Sequence, residues 1–222
     1  MAPCSHHLLW SFLDANVLFS RTLRDWICLL CLEGKRTAYD VRWSEDVLTE
    51  WIYRMRRRNP ALGDAAVGGS RRRLMAAFPG ALIIGYEPLS VPAVADPDDR
   101  HVLAAAVHGE VDLIITEDRK ARFEMVVPEG IAVVSADEFL MRVADAHPEL
   151  VPLALERQLE HFQRAVGGSE WRTAYDLADR LIKSGAPTFA RHLAGMLNLL
   201  GAASSDLRDQ SGFTRRRSWR AD

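Results

Sequence analysis

Short apolar runs that alternate with stretches of helical period constrain this chain more than any other feature. The runs are Leu8 to Leu13, Thr37 to Trp43, Ala81 to Ile84, Val111 to Thr116 and Ile131 to Val134. Each is too short for a buried helix, and the second alternates Tyr39, Val41 and Trp43, so they read as strands. Between the first two, Val17, Leu18, Leu23, Trp26, Ile27 and Leu30 fall at helical spacing from Ala15 to Glu33, and Gly34 ends the element. Ser44 is a good N-cap, followed by acids that favour a helix start, and Val47, Leu48, Trp51, Ile52 and Met55 carry that helix to Asn59-Pro60. Gly68-Gly69 reads as a break before an Arg-rich helix from about Ser70 to Phe78. Asp96-Pro97-Asp98-Asp99 opens another helix, and Ser135-Ala136-Asp137-Glu138 caps a third one containing Phe139, Leu140 and Val143. This alternation predicts an α/β domain with a parallel sheet over residues 5–146.

After His147-Pro148 no strand-like run remains. Residues 149–166, 170–184 and 187–200 read as three helices separated by Gly167-Gly168 and Gly185-Ala186-Pro187, an all-helical extension over 149–200. Glu156, Glu160, Asp176 and Asp179 interleave with Leu153, Leu155, Leu159, Leu177 and Leu181, so the helices are amphipathic. They either pack on the preceding domain or offer a surface to a second copy or a partner. Residues 203–222 read as a mobile basic tail, in which Arg215-Arg216-Arg217, Trp219 and Arg220 are candidates for touching nucleic acid.

Composition narrows the class. With 222 residues, 48% hydrophobic, 26% charged and a formal net charge of −2, the chain is neither disordered nor fibrous. Cys is found only three times, and Cys28 and Cys31 lie in an apolar helix with no second pair, so buried thiols are expected rather than a metal or redox site. No apolar run approaches the roughly 20 residues of a membrane span, and the N-terminus lacks a signal-type pattern, so the expectation is a cytoplasmic chain with no membrane partner.

In open α/β sheets, ligand-binding groups collect beyond the carboxyl ends of the strands. Asp14 follows the first strand directly, Asp99 opens the helix before the fourth, and Asp118 comes two residues after Thr116. Glu50 lies inside the helix Ser44–Arg58 beside Leu48 and Trp51, with Arg54 as its nearest basic neighbour. Four carboxylates within about 4–6 Å would repel by about 3–4 kcal/mol per close pair at an effective dielectric near 20. Such a cluster either holds protons or binds a divalent cation, and oxygen-only ligands select Mg²⁺ or Mn²⁺. Each acid also has an ordinary reading: Asp14 as a cap, Glu50 as an ion pair with Arg54, Asp99 as a first-turn acid, Asp118 as a turn residue.

The motifs around these acids resemble those of PIN-domain ribonucleases. Leu13-Asp14-Ala15-Asn16-Val17-Leu18 resembles the opening motif, and Ser44-Glu45-Asp46-Val47-Leu48-Thr49-Glu50 the second. Asp96-Pro97-Asp98-Asp99-Arg100-His101-Val102-Leu103-Ala104-Ala105-Ala106 is similar to the third, and Leu113-Ile114-Ile115-Thr116-Glu117-Asp118 to the fourth. They occur in family order and cover about residues 8–145. The resemblance implies a PIN-like three-layer domain in which Asp14, Glu50, Asp99 and Asp118 hold one or two Mg²⁺ or Mn²⁺ ions. Asp96 would be a helper, and Asn16, Thr116 and Ser44 would support the ligands. It further implies metal-dependent hydrolysis of RNA phosphodiester bonds.

Arg54, Arg56, Arg57, Arg58, Arg71, Arg72 and Arg73 flank these acids in sequence, and Arg grips phosphate bidentately, so they are candidate RNA contacts; a solvated helix face is the ordinary alternative. Longer VapC-type toxins carry a similar helical extension. The resemblance therefore implies the toxin of a type II toxin–antitoxin pair, with RNA as substrate, a small antitoxin as partner and a homodimer among the expected assemblies. A housekeeping RNA-processing nuclease without antitoxin and a non-catalytic PIN-like binding module are the alternatives. A haloacid-dehalogenase-type phosphatase would need an acid where Asn16 stands, and a dinucleotide-binding domain would need glycines between Asp14 and Arg24, where there are none.

Overall fold

A computed structural model describes residues 8–87, 89–92, 94–166 and 170–210. Its centre is a five-stranded, wholly parallel sheet flanked by helices: β1 (Leu9–Leu13), β2 (Tyr39–Ser44), β3 (Leu82–Ile83), β4 (Leu113–Ile115) and β5 (Ala132–Val134). The spatial order is β3-β2-β1-β4-β5. The chain builds outward from β1 in one direction, then returns to β1 and builds outward in the other. Ser11, Phe12 and Leu13 of β1 are fully buried and all of β4 is buried, as expected of parallel strands covered on both faces.

The predicted helix from Ala15 to Glu33 is two helices, α1 (Ala15–Phe19) and α2 (Arg21–Glu33). Ser20 divides them. Its N–H closes α1 on the Asn16 carbonyl at 3.2 Å, and its Oγ accepts the Leu23 N–H at 3.4 Å to cap α2. Ser44 caps α3 (Glu45–Arg58) as expected, accepting the Val47 N–H at 3.2 Å. The expected break at Gly68-Gly69 is absent, because α4 (Asp64–Ala77) runs through both glycines. Buried Val67 and Leu74 anchor that helix to the core, and packing outweighs the poor helix propensity of glycine, about 1 kcal/mol per residue. A single 3₁₀ turn at Pro97–Asp99 leads into α5 (Arg100–His108), and Ser135 caps α6 (Ala136–Ala146), accepting the Glu138 N–H at 3.2 Å.

The extension forms α7 (Leu150–Val166), α8 (Glu170–Lys183) and α9 (Pro187–Gln210). The last runs ten residues past the expected end at 200, so residues 203–210 of the expected tail are helical. Residues 211–222, with Arg215 to Arg217, Trp219 and Arg220, lie outside the described residues, as do Cys4 and the expected Gly167-Gly168 break. Leu155, Leu177 and Leu181 are buried as their spacing predicts, whereas Leu153 faces solvent. Leu150, Val151, Ala154, Phe189 and Leu193 belong to the same continuous core as the sheet. Phe189 is fully buried and meets Trp26 of α2 edge-to-face at 5.2 Å. Cys28 and Cys31 are buried free thiols, and burial pushes the Cys28 thiol up to about 12, so both serve as packing groups. Among the described residues no helix is long and apolar enough to cross a membrane.

Phe189→Ala should therefore destabilise the whole chain, not the extension alone. The expected loss is about 3–5 kcal/mol for a buried aromatic replaced by a cavity, read from urea unfolding as one shifted transition. A separate early transition confined to the extension would contradict this.

Candidate metal centre

The sheet order reverses between β1 and β4, and open α/β sheets bind ligands beyond the carboxyl ends of the strands at such a switch point. Leu13 pairs with Ile115 across these strands, and the Asp14 N–H donates to the Ile115 carbonyl at 3.1 Å. The pairing brings Asp14 beside Thr116. Asp14 is only 3% exposed, yet its carboxylate is well bound. Oδ1 accepts the Ala15 N–H at 2.5 Å, while Oδ2 accepts the Asn16 amide at 2.5 Å and the Thr116 hydroxyl at 2.6 Å. Thr116 Oγ1 in turn accepts the Asn16 amide at 3.1 Å and the Asp118 N–H at 3.0 Å. Asn16 Oδ1 accepts the Glu117 N–H at 3.0 Å, closing a network that fixes the end of β4 against the start of α1.

Asp99 enters from the 3₁₀ turn. Asp96 caps that turn, its Oδ1 accepting the Asp98 N–H at 3.1 Å, while Asp98 is exposed. Asp99 Oδ2 is buried without a hydrogen-bond partner. Burial pushes its carboxyl up to about 7, helped by the negative charges of Asp14, Asp118, Asp96 and Glu50. Burial also raises Asp14, with the Glu50 charge adding to the effect and the Thr116 and Ala15 hydrogen bonds opposing it. Asp99 thus feels the charges of the other four acids of the sequence motifs, and Asp14 feels that of Glu50.

Among the described residues, no three His, Cys, Asp or Glu side chains stand close enough together to hold an ion. Glu50 turns to Arg54, which donates to its Oε1 from Nε at 2.9 Å and Nη2 at 2.5 Å, the ion pair of its ordinary reading. Asp118 Oδ1 accepts the Lys120 N–H at 2.7 Å, a turn contact. Like charges gain by staying apart, and Arg54 supplies compensation that would otherwise require a cation. The donor set itself suits a hard divalent ion: all ligand atoms are oxygens, and one of them is buried and unpartnered. Ser44 lies elsewhere in role, fully buried as the cap of α3.

The flanking arginines divide into two groups. Arg54, Arg56 and Arg71 are held by Glu50, Asp64 and Glu45, and Arg73 by the Ser70 hydroxyl. Arg57, Arg58 and Arg72 have no acidic partner among the described residues, and Arg58 lies over the Phe19 ring at 5.7 Å. Sequence reasoning passed over Glu117, although it stands between two motif residues. Side chains alternate along a strand end, so Thr116 and Asp118 share one side and Glu117 takes the other. There its Oε1 accepts the Ala136 N–H at 2.8 Å at the start of α6.

No protein-family model, curated protein or solved structure matches this chain.

Proton uptake sets the sign of a pH effect. A carboxyl whose folded pKa is raised binds its proton more tightly in the native state, so the native state loses stability as pH rises from 3.8 to about 7. In chelator, the melting temperature is expected to fall over that interval and then level off. Asp99→Asn should flatten the fall and raise the melting temperature most at alkaline pH. An identical slope in wild type and variant would show that Asp99 is not the strained group.

Proposed function

We propose that this chain is a Mg²⁺- or Mn²⁺-dependent ribonuclease of the PIN type, with Asp14, Glu50, Asp99 and Asp118 as the metal-holding carboxylates and Asp96 as helper. The observation that carries this reading is the buried, unpartnered Asp99 oxygen, on a carboxyl that burial, and after it the charges of Asp14, Asp118, Asp96 and Glu50, push up to about 7. It agrees with the ordered motifs of the sequence.

Bound there, the ion would supply an activated water at neutral pH and offset charge on the leaving oxygen. The chain's own residues prepare the rest. Thr116, Asn16 and the Ala15 N–H hold the Asp14 carboxylate in one orientation, so it loses little freedom on binding a ligand. With its carboxyl pushed up to about 7, Asp99 would take up a cation in competition with its proton, so cation affinity should drop as pH falls below about 7. Glu50 can exchange its Arg54 contact for the ion, because that pair is partly exposed and of small net worth.

The role as toxin of a type II toxin–antitoxin pair, located in the cytoplasm and held by a small antitoxin, follows from the motif resemblance and the helical extension. Growth arrest on induced expression in a bacterial host, relieved by Asp14→Asn, would support it; unimpeded growth would favour an RNA-processing role.

The purified protein should cleave RNA with Mg²⁺ or Mn²⁺ and stop in excess chelator. Asp14→Asn should lower cleavage by about 100-fold or more while the protein stays folded, since a metal contributes several kcal/mol of charge stabilisation. Cleavage that survives chelation, or wild-type rates in the variant, would place the chemistry elsewhere.

A further inference from the structure

A cavity of about 420 Å³ is walled by α2, α4 and α7. Its lining falls at helical spacing on each: Cys28 and Leu32 on α2, Arg73 and Ala77 on α4, Arg157 and His161 on α7. The volume lies within the range of small-molecule sites, roughly 300–1,000 Å³. None of the five acids of the candidate metal centre lines it, so it is a separate place on the molecule.

The lining has an apolar part, a buried amide and a cationic rim. Cys28, Leu29, Leu74 and Phe78 supply the apolar part. Gln158 is only 6% exposed, and its side-chain amide has no hydrogen-bond partner among the described residues. A buried polar group left so costs free energy until a ligand pairs it. At the rim, Arg21 and Arg24 share the Asp25 carboxylate at 3.4 and 3.3 Å, and Arg21 Nη2 also reaches His161 Nε2 at 3.3 Å, joining α2 to α7. Arg157 is held by Glu33 at 3.1 Å, and Glu160 stands on the rim as well. The guanidinium without an acid among the described residues is that of Arg73, which donates to Ser70 Oγ at 3.2 Å.

These three parts select among ligands. A fatty acid would satisfy the apolar part and the cation but leave the Gln158 amide unpaired. A free phosphate would satisfy the cation alone. An amide carries a donor beside an acceptor, and glutamine pairs in this way with N6 and N7 of adenine. Arginine in turn suits a phosphate, whose oxygens match its planar fork. We propose that this cavity binds an adenine mononucleotide. The base lies against the apolar part with its N6/N7 edge on Gln158, and the phosphate sits at the rim on Arg73. The inference goes beyond the nuclease reading and does not rest on it.

The test is isothermal titration calorimetry of the full chain with AMP in chelator, where AMP should saturate one site. Gln158→Leu should weaken AMP and adenosine alike by about fivefold or more, the discrimination of one bidentate pair. Its melting temperature should equal or exceed that of the wild type, because an apolar group of similar shape replaces an unpartnered amide. Arg73→Gln, at an exposed position, should weaken AMP by about fivefold and leave adenosine unchanged. Arg142→Gln, on α6 and held by Glu138, should titrate as wild type. The proposal falls if AMP gives no saturable heat, or if both cavity variants bind it as the wild type does. It also falls if inorganic phosphate or octanoate displaces AMP at equal concentration, which would make the cavity a plain anion site or a seat for an amphipathic acid. Tenfold tighter binding of a short oligoadenylate would overturn it too, since the ligand would then be a strand.

Discussion

The pairing of β1 with β4 is the constraint from which the candidate site follows. Leu13 opposite Ile115 sets Asp14 against Thr116, and a shift of one residue would move Asp14 away from the hydroxyl that binds it. The register is secured by burial on both faces, since Phe12, Leu13, Ile114 and Ile115 are all fully enclosed. Apolar packing therefore determines where a nearly buried carboxylate lies. The hydrogen bonds from Ala15, Asn16 and Thr116 then make its burial tolerable.

Around that fixed point the acids differ in how they are compensated. Asp14 is held by hydrogen bonds, Glu50 by Arg54, and Asp118 by a turn N–H, while one oxygen of Asp99 has nothing. Burial, and after it the charges of the other four acids, push the carboxyl of this least compensated member up to about 7. In the proposed reading a divalent ion would offset these charges, since all the candidate donors are oxygens.

The helical extension is bound to this arrangement by apolar and polar contacts together. Phe189 fills a place in the core beside Trp26, and Asp137 binds the first N–H groups of α9. Each contact joins a residue after 180 to one before 140, so the extension packs onto the sheet domain and stabilises it.

Much of this was legible in the sequence, because apolar period and capping act over a few residues. The strands, the caps at Ser44 and Ser135, the helical extension and the acids at strand ends can be read from local spacing alone. Ser20 escaped because a serine inside an apolar period gives no sign that its hydroxyl will cap a new helix rather than face solvent. Gly68-Gly69 misled because burial of Val67 and Leu74, which holds α4 together, is a tertiary fact. Residue types also named Arg54 and Glu50 without deciding between ion pair and ligand, since that choice depends on the field of Asp14 and Asp99. Only the fold could bring Gly185 against Glu117 and set Lys183 and Asn16 on the walls of one cavity. Their separation along the chain exceeds any local signal, and the contacts exist because packing Phe189 on Trp26 closes the distance.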